Sequence, residues 1–340
     1  MPTIKEIAAV TGYSPSTVSV VLRGKGNERK ILQSTQEKIL TAARNLGYTP
    51  NISARRLRNI QFSKKLVLAV FWASDFRASM VVRFLRGLQR EVAESKTDCE
   101  IIIRPYTNGT LSEAASLSEM NMFNAAIICN ASAADIEFLE ENEFPIPIIL
   151  YNRVSEKYCT VNVDSTKLGG LAADVFLSHN KKAPAVITSE PVFSDMILRV
   201  ESFYNAFEKQ GITYRKTIYE ENTMKGGYEA AKLIAESDSL PDCVFCASDA
   251  LAIGALRAFS QCGIRIPDDI ELISVGNGEN DMQEYASTSL SVVHIPMEDM
   301  AAFCFRILID VTNGKVQPPY SVVLPVKYIP RESCGDIPHN

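Results

Sequence analysis

Apolar residues recur at helical spacing over the first fifty positions and then gather into short dense runs, so the chain reads as two differently built parts. Ile4, Ile7, Ala8 and Val10 make one stripe, started by the T-x-x-E capping box of Thr3 and Glu6 and ended by Gly12. Ser14 caps a second helix from Pro15 to Arg23, with proline at the first position, where its missing N–H costs nothing. Val18, Val21 and Leu22 are its expected buried side. Ser34 and Glu37 form another capping box, for a helix burying Ile39, Leu40, Ala43 and Leu46 and closed by Gly47. Helix, glycine turn, helix, loop, helix fits a helix-turn-helix domain, and fits a plain three-helix bundle too.

Beyond Lys65 the apolar runs predict strands at Leu66–Trp72, Glu100–Arg104, Ala126–Cys129, Ile146–Tyr151, Ala183–Thr188, Cys243–Cys246, Ile270–Val275 and Ser291–Val293. Amphipathic stretches separate most of them, among them Val81–Glu94, Ser194–Gln210, Gly226–Glu236 and Asp249–Gln261. Strands alternating with helices imply parallel sheets covered on both faces. About 275 residues of this rhythm suit two α/β lobes better than one.

Charge sharpens the division. Residues 1–65 hold 12 Lys or Arg against 3 acidic residues, a net +9, whereas the other 275 hold 23 against 37, a net −14. A basic module on an acidic body points to a nucleic-acid-binding unit joined to one that avoids polyanions. The start MPTIKEIAAV lacks the apolar core of a signal peptide, and no apolar run is long enough to span a membrane, so a cytoplasmic protein is expected. The eight cysteines are scattered, and Cys243-x-x-Cys246 falls on a strand with no second Cys or His pair, so neither disulfides nor a metal is expected. Only His179, His294 and His339 are available as imidazoles, and no nucleophile elbow, phosphate loop or metal-spaced cluster accompanies them. Neither an enzyme nor a cofactor is expected.

TIKEIAAVTGYSPSTVSVVLRGKG, together with ILTAARNLGYTPNISARRLRN, resembles the N-terminal region of LacI/GalR repressors: Thr17-Val18-Ser19, Leu46 to Asn51 and Ala54 to Arg58 carry the match. The resemblance implies an all-α headpiece at 1–48, a hinge helix at 49–61 that folds on DNA, and a two-lobed periplasmic-binding-protein-like core at 62–340. Lobe 1 is expected at about 62–161 plus 293–322 and lobe 2 at about 162–292 plus 323–340. It also implies DNA contacts from Thr3, Ser14, Pro15, Ser16, Thr17, Ser19, Val20, Arg23, Asn27, Tyr48, Asn51, Ala54, Arg55, Leu57 and Arg58. Leu57 matches the leucine that wedges into the minor groove, where an apolar side chain unstacks a base step while neighbouring arginines neutralise phosphates. Many relatives carry arginine or another polar residue where this chain has Val20; valine reaches a thymine methyl but cannot fork onto guanine.

VNVDSTKLGGLAADVFL, ASDALAIGALRAF, GIRIPDDIELISV and PRES extend the resemblance through the body. It implies a ligand cleft between the lobes, with Trp72, Asp75, Asn130, Asn152, Arg199, Asp249 and Asn277 as candidate contacts. A cleft arginine grips through its planar fork of donors, a carboxylate accepts from adjacent hydroxyls, and tryptophan stacks on a sugar face. Plainer roles stand beside these: a surface ion pair for Arg199, an N-cap for Asp249, a core position for Trp72. Ser202 replaces the glycine of R-x-x-G-F, and Gly276 stands where relatives have a ligand-binding aspartate. The implied protein is a homodimeric repressor on a pseudo-palindromic operator, with a sugar or glycoside as the expected effector. Purines, nucleosides or a protein corepressor are alternatives within the same fold, and a solute-binding module is one outside it. No leucine heptad follows Arg331, so no tetramerising coiled coil is expected.

Overall fold

The computed structural model describes residues 4–22, 26, 29–46, 65–74, 80–113 and 123–335. The chain divides into two compact units, Met1–Lys64 and Lys65–Asn340. The expected hinge helix at 49–61 lies outside the described residues.

The first unit contains α1 (Ile4–Thr11), α2 (Pro15–Leu22) and α3 (Gln33–Asn45). Ile7, Ala8, Val18, Val21, Ile39 and Ala43 form its core. Ser14 starts α2 as expected, its Oγ accepting from the Thr17 N–H at 3.2 Å. Val10 is 65% exposed, contrary to the expected stripe. Its place is taken by Thr11, which lies one turn past Ile7 and hides its hydroxyl by donating to the Ile7 carbonyl at 2.6 Å. Leu40 and Leu46, also expected inside, are exposed; a three-helix unit this small has room for one narrow seam of α3, and Ile39 and Ala43 fill it.

In the second unit, one sheet is built from β1 (Leu66–Ala73), β2 (Cys99–Tyr106), β3 (Ala125–Cys129), β4 (Ile148–Tyr151), β5 (Cys159–Val163) and β11 (Ser321–Leu324), in the order β11-β5-β4-β3-β1-β2. The other contains β6 (Pro184–Thr188), β7 (Lys216–Tyr219), β8 (Cys243–Cys246), β9 (Glu271–Gly276), β10 (Ser291–His294) and β12 (Lys327–Ile329), in the order β12-β10-β9-β8-β6-β7. Every pairing is parallel except β10 with β12. Helices α4 (Val81–Ser95), α5 (Ala133–Glu141) and α11 (Met297–Thr312) accompany the first sheet; α6 (Ser165–Ser178), α7 (Ser194–Glu208), α8 (Met224–Ala235), α9 (Asp249–Gln261) and the short α10 (Asn280–Glu284) accompany the second. This is the expected α/β architecture. The strands are apolar on both faces because helices cover both.

The expected lobe breaks after 161, 292 and 322 each fall inside a strand, which cannot belong to two sheets at once. The chain instead changes lobe after Val163, between His294 and Met297, and after Leu324. Cys243 and Cys246 lie on β8, buried and without a disulfide, and Cys129, Cys159, Cys304 and Cys334 on other elements are likewise buried and free.

Candidate functional site

On the small helical unit, Ser14, Pro15 and Ser16 are exposed at the start of α2, and Thr17 and Val20 are partly exposed. The Ser14 hydroxyl lies 2.8 Å from that of Ser16 and 2.9 Å from that of Thr17, so this end of the helix presents a tight group of hydroxyls. Ser19 corrects the expectation: only 8% exposed, it faces inward between Val18 and Val21 rather than outward. Thr3, Arg23, Asn27, Tyr48, Asn51, Ala54, Arg55, Leu57 and Arg58 lie outside the described residues.

In the larger unit a cleft opens between the two sheets at the C-terminal ends of their strands, with an empty volume of about 610 Å³ counting its solvent-open mouth. That is the position where open α/β sheets bind ligands. Asn130 follows β3 and Asn152 follows β4, and both line the cleft. Both take left-handed backbone, φ +59° and +58°, a conformation asparagine tolerates better than most side chains. Across from them stand Arg199 on α7 and Asn277 after β9. Four of the seven expected effector residues are thus brought together.

Arg199 settles its own ambiguity through the helix it sits on. The buried side of α7 is Met196, Arg199, Val200, Phe203, Tyr204 and Phe207, a stripe of helical period in which arginine is the one charged member. A surface ion pair is therefore excluded. Arg199 is 7% exposed, and no acceptor lies within hydrogen-bond reach of its Nε. Burial lowers its guanidinium to about 10, against a smaller opposing effect of Asp195, so it stays charged at neutral pH. Asn130, at 3% exposure, has a buried Nδ2 that is likewise without a partner. Buried donors are nearly always satisfied in folded proteins, so two unmet ones on a single cleft mark a binding surface.

Two expected contacts are corrected. Trp72 is 3% exposed in the core, its ring 5.3 Å from that of Phe84 and 6.2 Å from that of Tyr151. It lies on β1, a central strand buried along its whole length, and Tyr151, not Trp72, reaches the cleft wall. Asp249, at the start of α9, is buried, and its carboxylate accepts from Ser274 Oγ at 3.0 Å, from Gln283 Nε2 at 3.0 Å and from the Gly278 N–H. Burial pushes its carboxyl up, and these bonds offset that only in part. The helix cap is Ser248, not Asp249. Asp75 lies outside the described residues.

Thr188, Phe193 and Asn222 line the cleft without having been expected there. Thr188 ends β6, so the rule that selects Asn130 and Asn152, a polar residue at a strand's C-terminal end, would have found it, whereas Asn222 follows β7, a strand that was not expected. A Cβ on Gly276 would come within 2.9 Å of Val292 Cγ2 and 3.2 Å of His294 Cα, so a side chain there requires Val292 to shift.

The lobes are tied together beside the cleft. Arg83 on α4 donates from Nε and Nη2 to the Glu298 carboxylate at 2.8 and 2.6 Å, and to the carbonyls of Gly278 and Ile295 at 3.1 Å each. Burial pushes the Glu298 carboxyl up, but the hydrogen bonds and charge of Arg83 outweigh it and hold the group below its ordinary range. Arg153, after β4, stacks its guanidinium 3.9 Å from the Phe193 ring of the opposite lobe.

Residues 153–334 match the periplasmic binding protein-like domain, and residues 3–51 match the bacterial regulatory proteins of the lacI family. The chain is 26% identical to the probable HTH-type transcriptional repressor ExuR of Bacillus subtilis, with 98% of each chain covered. A LacI family transcription regulator from Clostridium acetobutylicum has a similar structure: 34% identity, TM-score 0.76, covering 78% of this chain and all of that one. A LacI family transcriptional regulator from Enterococcus faecium, solved with bound ribose, shares the fold at 21% identity and TM-score 0.68, covering 79% of this chain and 98% of that one. Among the described residues no helix is long and apolar enough to cross a membrane.

Proposed function

This chain belongs to the LacI family of bacterial regulatory proteins, as a DNA-binding transcriptional repressor controlled by an effector, and on that premise we propose that the interlobe cleft is the effector site and that the effector is a sugar or glycoside. The observation that carries the reading is the pair of buried donors, Asn130 Nδ2 and Arg199 Nε, left without acceptors on one cleft. The ribose held by the Enterococcus faecium regulator supports the same chemical class.

The repressor acts in the cytoplasm as a homodimer, two headpieces reading the half-sites of a pseudo-palindrome, because a two-fold protein fits two-fold DNA. The start of α2 enters the major groove, and Leu57 with its neighbouring arginines acts in the minor groove. Arg83 and Arg153 each bond or stack across the lobes, so lobe closure and these contacts are linked. An effector shifts DNA affinity only by binding one lobe arrangement better than the other. No chemical step on the effector is involved.

The test begins by selecting DNA from a random pool on the full-length protein. Two related half-sites should emerge, bound about a thousandfold more tightly than random DNA at one salt concentration. A panel of sugars is then screened by thermal unfolding; a ligand at about 100 times its dissociation constant adds roughly 2.7 kcal/mol of stability. Equal affinity for selected and random DNA would overturn the repressor reading, and a sugar hit unaffected by Asn277→Ala and Asn130→Ala would move the effector site elsewhere.

A further inference from the structure

We propose that the effector carries a single oxyanion, a carboxylate or phosphate on a small sugar-like body, and that Arg199 receives it. The proposal rests on the reading of the cleft as the effector site.

Charge is the first ground. Among the described residues the polar side chains lining the cleft are Asn130, Asn152, Thr188, Asn222, Asn277 and Arg199, and none of these is a carboxylate. Asp249, expected in the cleft, does not balance the arginine. Asp249 spends its oxygens on Ser274, Gln283 and Gly278, inside its own lobe. Gly276 carries no side chain, and one added there would press on Val292. Asp195, one helical turn before Arg199, is partly exposed and acts on it only through its field. The described lining is therefore cationic, within a body whose net charge is −14 over residues 66–340.

Hydrogen-bond polarity is the second. The buried polar atoms of the cleft lining that lack partners, Arg199 Nε and Asn130 Nδ2, are both donors. A neutral sugar hydroxyl brings a donor along with its acceptor, whereas an oxyanion only accepts. Paired with a guanidinium it takes two parallel bonds from the planar fork, among the strongest hydrogen bonds a protein makes. A buried charge without a partner is costly, so the missing partner is the ligand's.

The remaining wall limits the ligand to one charge. Met80, Met196, Met297 and Met300 line the cleft with thioethers and methylenes, which suit the apolar face of a sugar ring and would desolvate a second anionic group without compensating it.

Thermal unfolding and titration calorimetry of the full-length protein with glucose, glucuronate, glucose 6-phosphate and inorganic phosphate, at matched ionic strength, test this. At least one oxyanion-bearing sugar should bind about tenfold or more tightly than glucose, and which of the two does so identifies carboxylate or phosphate. Arg199→Met should erase the preference, lowering affinity for the anionic sugar about tenfold more than it lowers affinity for glucose. Should that variant fail to fold, Arg199→Lys, which keeps the charge but loses the fork, should retain the order of preference at reduced affinity. Glucose binding as tightly as the anions would overturn the proposal and leave the cleft reading standing. Anion binding unchanged in Arg199→Met would place the anion elsewhere and overturn it as well. If none of the four binds, the proposal falls, and the cleft reading falls with it only if the wider sugar panel also finds no ligand.

Discussion

Two buried arginines, one at the lobe crossover and one in the cleft, show how differently a protein can hide the same charge. Arg83 is 1% exposed and fully engaged: a carboxylate takes two of its donors, and backbone carbonyls from the opposite lobe take others. Arg199 is 7% exposed with an idle Nε, and the one carboxylate near it, Asp195, acts on it only through its field. A saturated ion pair holds structure together, and one left half-built holds a place for something absent. The crossover and the cleft also sit next to each other, since the Gly276–Gly278 segment that gives carbonyls to Arg83 contains Asn277, which lines the cleft. A ligand that moves Asn277 therefore pulls on the clamp.

The sharpest way to break this comparison is to remove each arginine in turn. Arg83→Met leaves Glu298 only the more distant Arg86, 3.7 Å away, and strands several carbonyls, which should cost about 3 kcal/mol of stability by urea unfolding. Arg199→Met, in ligand-free protein, removes a buried charge that only the field of Asp195 partly compensates, and fits thioether into a wall already rich in methionine. It should change stability by less than about 1 kcal/mol, or raise it. Equal losses for the two would mean that Arg199 is a structural residue with a partner after all.

Asp249 gives the next contrast, because the resemblance places it in the cleft and the structure places it behind the cleft. Asp249→Ala leaves the Gly278 N–H, the Ser274 hydroxyl and the Gln283 amide with donors to satisfy in a dry site. A loss of about 1–3 kcal/mol is expected, with effector affinity weakened only through the displaced Gly278 loop. A variant of unchanged stability that binds no effector would restore Asp249 as a direct contact.

These residues also show what was legible in the chain. Strand β8 and helix α9 were expected at the bounds they take, Cys243–Cys246 and Asp249–Gln261, because a dense apolar run and a long periodic stretch are local signals. Strands β5, β7, β11 and β12 were not expected: the last three are short edge strands with partly exposed residues, made strands by pairing with segments far away in the chain, and β5 is buried but interrupts its apolar run with Thr160 and Asn162. In the site, Asn130 and Asn152 were found because they end recognised strands, whereas Asn222 was missed together with the strand it follows. Trp72 and Asp249 were misplaced for another reason: a resemblance transfers a residue's position but not its hydrogen bonds or its ring contacts. Arg199 was ambiguous until the stripe on α7 was seen to be buried, although Met196, Val200, Phe203 and Phe207 already surround it in the sequence.

The smallest expected effect tests whether the surroundings of the clamp are as cationic as the comparison requires. His294 is half-buried at the end of β10, and its imidazole is lowered to about 4, chiefly by burial and then by the charges of Arg83, Lys327 and Arg331, against the opposing pull of Glu298. Between the ordinary histidine value near 6.5 and about 4, the unfolded chain binds a proton here that the native protein refuses. Stability contributed at this site is therefore intact above about pH 6.5 and is lost as the pH falls through that window. The carboxylates held low, Glu298 and Asp269 among them, lose stability in the same direction at the acid end, so a single melting curve does not isolate the histidine. His294→Gln does, because it keeps a polar side chain of similar size and removes the titration. Its melting temperature should fall less steeply between pH 6.5 and 4 than that of the parent, with the two converging in slope above pH 7. The difference should be modest, since water reaches half of the ring and screens the charges around it. Parallel profiles would mean that His294 protonates in the native protein as readily as in the unfolded chain, so that Arg83 is less of a naked charge to its neighbours than its pairing with Glu298 leaves it here.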